Sequence, residues 1–310
     1  MQTNSLPGGL WPVMLTPFLQ NNEVDYDVLK RLTEFYIKSG ANGLFANCLS
    51  SEMFQLTEAE RLKVIATVVS MAAQANIPVV ASGTFSDAVE DCVAFSKKVY
   101  DTGVSAVVII SNQLARVEDS EDVLKQNIQS LIDKTKEIPL GIYECPYPYK
   151  RLISSSLINW LGKTGRFIYI KDTSCNPDSI QQKLRQLDGT NCSLYNANTA
   201  TALSSMEMGA RGLSPIGANF YPELYSFMMK KYTCPENNEM LQTLNHRLNV
   251  MEGIASKCYP FSAKLFLKER NLFINSRCRI QHENMKKEDY INLKSLETMY
   301  RTALYDFGIG

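Results

Sequence analysis

The stretch FIYIKDTS, residues 167–174, holds four consecutive apolar or aromatic side chains, then a lysine, then a polar break. A short apolar run without polar alternation reads as a strand buried on both faces, the pattern of a parallel sheet covered by helices. Comparable runs recur: LWPVML 10–15, GLFA 43–46, IPVVAS 77–82, AVVII 106–110, LGIYE 140–144, CSLY 192–195 and RGLS 211–214. With residues 167–170 they make eight candidate strands.

Amphipathic stretches fill the gaps. Residues 25–38 place Val28, Leu29, Leu32, Phe35 and Tyr36 on one helical face. Residues 57–73 open on Thr57 with Glu60 three places on, the spacing of a capping box. Residues 86–100, 120–136, 154–161 and 178–187 continue the series, and Gly40, Gly103 and Gly209 suit helix ends. Eight strand–helix units in roughly 215 residues fit a closed (β/α)8 TIM barrel. A doubly wound open sheet is the alternative, but it has fewer strands and often a glycine-rich first turn. Strand signals stop after Phe220. The chain therefore divides into a barrel, 1–220, and a C-terminal helical extension, 221–310, packed on it.

The composition narrows the function. Lys plus Arg and Asp plus Glu each number 32 in 310 residues, which leaves no basic footprint for nucleic acid or for a membrane surface. No apolar run is long enough to span a bilayer. The N-terminal MQTNSLPGGLW has no basic segment followed by an apolar one, so no export signal is expected and the cytoplasm is the expected location. The eight cysteines are scattered without a C-x-x-C pair and read as reduced thiols. Only His246 and His282 occur; both read as solvent-facing helix residues, and no His-based metal site is expected.

Catalytic groups of such a barrel project from the C-terminal ends of its strands. Lys171 ends the sixth, Tyr143 the fifth and Ser214 the eighth, while Ser50 and Ser51 follow the second. A lysine ending a buried strand has two readings. It snorkels to water, or it is a neutral amine aimed at a carbonyl. A phenol on the neighbouring strand suits the second reading, because imine formation needs proton transfers at the carbinolamine. The serines are candidate donors to the carboxylate of a 2-oxo acid. Glu52 reads as a loop-ordering residue, and Cys48 and Cys145 as small buried thiols.

At these residues the chain resembles the dihydrodipicolinate synthase / N-acetylneuraminate lyase family of class I aldolases. LTPF 15–18 with EVDYDVL 23–29 looks like the family's opening, YECP 143–146 its Y-x-x-P tyrosine, IKDTS 170–174 its lysine strand, and MGARGLSPIGANFYP 208–222 its GA-x-G…AN…P segment. The resemblance implies Lys171 as the imine-forming lysine, Tyr143 as the proton-handling phenol, no metal or organic cofactor, and a homo-oligomer, tetramer or dimer. Three positions depart from the pattern. Leu49 stands where a relay hydroxyl is usual, with Ser50 keeping the second hydroxyl. Residues 112–114, Asn-Gln-Leu, replace a Pro-Tyr-Tyr run whose tyrosine reaches a neighbouring subunit. Tyr147-Pro148-Tyr149, with Lys150 and Arg151 later, stands where lysine-biosynthesis members carry a carboxylate-binding arginine. These departures weigh against dihydrodipicolinate synthesis. The expectation is a carbon–carbon lyase releasing pyruvate from a sugar acid of the N-acetylneuraminate or keto-deoxy aldonate type. The alternatives are a dehydratase or hydratase–aldolase, dihydrodipicolinate synthase, or a non-catalytic barrel that binds a 2-oxo acid.

Overall fold

The computed structural model describes residues 5–273, 275–280 and 284–309. Eight parallel strands run β1 Gly9–Leu10, β2 Leu44–Ala46, β3 Val79–Ser82, β4 Ala106–Ile110, β5 Leu140–Tyr143, β6 Phe167–Asp172, β7 Ser193–Asn196 and β8 Gly212–Leu213. Their spatial order is β1-β8-β7-β6-β5-β4-β3-β2. A parallel bridge between Val13 and Phe45 joins the two ends into a barrel. The first strand is shorter than its apolar run. Trp11 N–H still donates to Leu213 O, but Pro12 has no N–H, and the pairing passes to β2 through Met14 N–H to Phe45 O at 3.0 Å.

The helices between strands are α1 Tyr26–Lys38, α2 Glu58–Ala73, α3 Val89–Asp101, α4 Glu121–Thr135, α5 Ser155–Lys163, α6 Pro177–Leu187 and α7 Ala202–Glu207. The Thr57–Glu60 start signal acts as read, forming the capping box of α2, and the Asp25 carboxylate, taken as the first helical residue, caps α1 instead. Gly40, Gly103 and Gly209 all hold positive φ, where a Cβ would be strained. After β8, helix α8 Pro222–Lys231 is followed by α9 Asn238–Ala255, α10 Phe261–Glu269 and α11 Lys287–Asp306. His246 is exposed on α9; His282 lies outside the described residues. Among the described residues no helix is long and apolar enough to cross a membrane, and no disulfide forms.

The buried side chains form two sets. Outward-facing Leu140, Ile142, Phe167 and Ile170 join the layer between sheet and helices. Inward-facing Trp11, Phe45, Tyr143, Tyr169 and Tyr195 fill the barrel. Each such aliphatic or aromatic side chain contributes about 1.5–3 kcal/mol on burial. Tyr169 stacks on Tyr195 at 4.6 Å and Trp11 packs at 5.0 Å from Tyr195, so the interior is packed solid one layer below Lys171.

One irregularity aims that lysine. Leu140 pairs with Phe167, but Gly141 pairs with Tyr169, so Ile168 is an extra residue in β6. The bulge shifts the register by one, and a one-residue shift reverses which face every later side chain takes. Phe167 and Ile170 face the helices, while Ile168 and Tyr169 both belong to the interior. Without the bulge, Lys171 would face the helices. With it, Tyr143 pairs with Lys171. Gly141 accommodates the bulged strand: a Cβ there would lie 3.0 Å from Tyr169 O.

Candidate active site

Lys171 is 4 % exposed. Its Nζ lies 4.6 Å from the centre of the Tyr143 ring and 5.6 Å from that of Phe45. Burial pushes its pKa down to about 8, opposed weakly by the thiols of Cys48 and Cys145 and by Glu252. No carboxylate forms an ion pair with it among the described residues. At pH 7 such an amine is neutral in roughly one molecule in ten, against about one in three thousand for an ordinary lysine. The Tyr143 phenol is itself fully buried, which holds its pKa far above the ordinary tyrosine value and keeps its proton in place. A partly neutral amine beside a protonated phenol is the pairing that imine chemistry needs.

The serines separate. Ser50 is buried in the loop after β2. Ser51 Oγ donates to Met14 O at 2.6 Å and accepts from Cys48 N–H at 3.0 Å, tying the loop to the first strand segment. Ser214 Oγ donates to Trp11 O at 2.7 Å and is fully buried between β1 and β8. Lys171 and Tyr143 thus meet in the upper interior, whereas the protons of Ser51 and Ser214 go to backbone carbonyls.

Glu52 orders the loop. Its Oε1 accepts from Lys264 at 2.5 Å, and its Oε2 accepts from the N–H groups of Arg279 and Ile280 at 2.5 and 2.8 Å. All three partners come from the C-terminal region, which therefore straps down the loop that carries Ser50. Asn112, at the first place of the expected Pro-Tyr-Tyr run, donates to Cys145 O at 2.9 Å and Tyr147 O at 3.0 Å, clamping the Y-x-x-P loop. Arg151 donates to Asp119 O at 3.0 Å and to Arg116 O, so its guanidinium serves the loop after β4.

Sequence reasoning missed Tyr259, a buried phenol that bears on that of Tyr143. Cys48 and Cys145, read as small buried thiols, are buried and lie near the amine. Cys145 carried a usable signal, since two residues beyond Tyr143 it falls on the same strand face. Tyr259 carried none, because it comes from the segment between α9 and α10. The surface depression of about 550 Å³ lined by Arg185, Thr190 and Arg211 lies on the opposite rim, where chain enters β7 and β8. It is remote from this chemistry.

The model of the dihydrodipicolinate synthetase family matches residues 6–298. The chain belongs to this family. The family resemblance and the barrel read from the motifs are thus shown. A 4-hydroxy-tetrahydrodipicolinate synthase from Oceanobacillus iheyensis is 24% identical over 289 residues, covering 93% of this chain and 96% of that one. The crystal structure of a dihydrodipicolinate synthase from Bacillus anthracis superposes with a TM-score of 0.85 at 20% identity, covering 94% of this chain and 97% of that one. A dihydrodipicolinate synthase from Acinetobacter baumannii, solved in complex with pyruvate, gives 0.83 at 22% identity, covering 99% and 100%. At these identities the two structures attest the fold. The names of these relatives favour the synthase alternative over the sugar-acid lyase that the departures suggested.

Proposed function

We propose that this family member forms an imine between Lys171 and a 2-oxo acid, pyruvate being the simplest, and makes a carbon–carbon bond from the resulting enamine. The observation that carries the reading is a buried amine, without a counter-ion among the described residues and with its pKa lowered to about 8, against the Tyr143 ring. The neutral amine attacks the keto carbon. Tyr143 passes a proton to the carbinolamine oxygen, water leaves, and an iminium ion remains. Loss of a proton from the adjacent carbon gives an enamine that adds to an aldehyde. Hydrolysis then frees the product and restores the amine. The pyruvate complex of the Acinetobacter relative and the synthase names support this direction.

A second reading runs the same imine in reverse, cleaving a sugar acid to pyruvate and an aldehyde. One observation favours it: Arg151 is engaged with the Asp119 and Arg116 carbonyls, so a second carboxylate lacks the arginine used by lysine-biosynthesis members. The test has two stages. Protein incubated with pyruvate is reduced with borohydride and weighed intact, with Lys171→Ala as control. Formation of 4-hydroxy-tetrahydrodipicolinate is then assayed beside pyruvate release from a panel of 2-oxo sugar acids. An adduct at Lys171 with synthase turnover supports the first reading, and one with sugar-acid turnover supports the second. An adduct without any turnover identifies a 2-oxo acid binding barrel. An undiminished adduct in Lys171→Ala removes the site.

A further inference from the structure

One buried ionic cluster has no part in the imine steps. Glu144, Asp172 and Lys183 are at most 1 % exposed and meet in the layer between sheet and helices. Lys183 on α6 donates to Asp172 Oδ2 at 2.6 Å and to Glu144 Oε1. Glu144 Oε1 also accepts from Ile153 N–H at 2.8 Å, and its Oε2 accepts from Thr173 N–H at 3.0 Å. The Glu144 N–H donates to Lys171 O at 3.3 Å, and the Glu144 carbonyl accepts from the Thr173 hydroxyl at 2.6 Å. The cluster thus ties the ends of β5 and β6 together where Tyr143 and Lys171 stand opposite each other. It also bears on which way the lysine points. Past Phe167, β6 has two ways to run. With Ile168 as an extra residue, Lys171 faces inward and Asp172 outward. Without it the parity reverses, so that Lys171 faces the helices and Asp172 the apolar interior. Tyr169, stacked on Tyr195, resists that reversal from inside. Lys183 resists it from outside, because the reversed strand brings a second ammonium to Glu144 and buries the Asp172 carboxylate unpaired. Without Lys183, a reversed Lys171 would itself neutralise Glu144, and much of that penalty is gone.

We propose that Lys183 is a positioning residue for the imine chemistry: by saturating Glu144 and Asp172 it keeps those carboxylates from drawing Lys171 out of the barrel mouth. This rests on the Lys171 reading above and adds what holds the amine inward and without a counter-ion. Inside the barrel, the groups that face Lys171 are Tyr143 of β5, the Cys145 thiol just past it, the Cys48 thiol after β2 and Glu252 of α9. Among the described residues none of them forms an ion pair with it. Outside, Lys183 meets Glu144 and Asp172, each one residue along the chain from a member of the reacting pair. Deleting its ammonium leaves two unpaired carboxylates beside Lys171, and both favour the charged form of any amine that reaches them.

The experiment follows borohydride trapping of pyruvate against pH in wild type, in Lys183→Met, and in Lys183→Met combined with Glu144→Gln and Asp172→Asn. Urea unfolding of each is recorded alongside. Lys183→Met should trap pyruvate about tenfold more slowly at pH 7, with the midpoint of its pH profile about one unit above that of wild type. The triple variant still lacks Lys183 but has no carboxylate left to compete for Lys171, so its rate and midpoint should return close to those of wild type. A strut alone would lower the urea midpoint of Lys183→Met while its folded fraction kept the wild-type rate and pH profile, and that result overturns the proposal. So does a triple variant as slow as Lys183→Met, since Lys183 would then not act through the acids it holds. Should Lys183→Met not fold, Lys183→Met with Asp172→Asn, which leaves Glu144 alone to compete, takes its place under the same criteria. Wild type that traps no pyruvate refutes the Lys171 reading, and this one with it. Wild type that traps pyruvate while Lys183→Met traps it equally well refutes only this one.

Discussion

Lys171 and Lys183 are both buried, and they are opposites. Lys183 reaches from α6 to the outer face of the sheet, where Asp172 of β6 accepts its proton at 2.6 Å and Glu144, just past β5, accepts another. Each carboxylate follows its inward-facing neighbour, Lys171 or Tyr143, by one residue, so the same two strands carry an ion cluster outside and a bare amine inside. Burial alone would lower the Lys183 pKa, but two carboxylates outweigh it and hold the ammonium charged. Burial in turn pushes the Glu144 carboxyl above its ordinary range, with Asp172 adding to it, since one ammonium serves two acids. Lys171 has burial without the carboxylates, and its pKa falls. Counter-ions, more than depth, decide whether a buried lysine is a strut or a nucleophile.

The largest break in this comparison is Lys171→Met. The trapped adduct should vanish from the intact mass. The fold should gain stability, on the order of 1–3 kcal/mol in denaturant midpoints, because an amine shifted from 10.5 to about 8 is a cost the native state carries. Next, Tyr143→Phe should slow trapping by roughly 10²–10⁴-fold in stopped reactions, the range of a positioned proton carrier. An unchanged rate would remove the phenol from the mechanism. Lys183→Met makes the opposite point. It strands two buried carboxylates and should cost about 3–5 kcal/mol in urea unfolding. Adding Glu144→Gln and Asp172→Asn should recover part of that loss, and no recovery would mean the cluster acts through shape alone.

The smallest effects are in pH. Only the neutral amine attacks, so the trapping rate should climb about tenfold per pH unit below 8 and flatten above it. A flat profile from pH 6 to 8 contradicts the lowered pKa. The stability difference between Lys171→Met and wild type follows the same group. Between pH 8 and 10.5 the unfolded lysine binds more protons than the folded one, so the penalty is full below 8, shrinks through that window and disappears above 10.5.

What was legible and what was not divides by range. Thr57 with Glu60 acts locally and acted as read. That Tyr143 and Lys171 sit on adjacent strands was legible because each ends an apolar run, and the two pair across β5 and β6. Ser51 and Ser214 looked equivalent to Ser50, yet their hydroxyls donate to Met14 O and Trp11 O, groups 37 and 203 residues away. No spacing rule shows where a hydroxyl proton points. The first strand lost length at Pro12 for a reason visible in the sequence, the missing N–H.

The amino-acid order by itself determined a barrel of buried parallel strands alternating with capped helices, because apolar periodicity and helix-end chemistry are short-range properties. It also set a lysine at the end of the sixth strand. Only the folded chain decided that this lysine faces inward, since strand side chains alternate with a period of two and the single extra residue at Ile168 reverses the parity. Only the folded chain, too, carried the Lys264 ammonium of α10 to Glu52 after β2. That meeting depends on packing between segments some two hundred residues apart, and no local pattern encodes it.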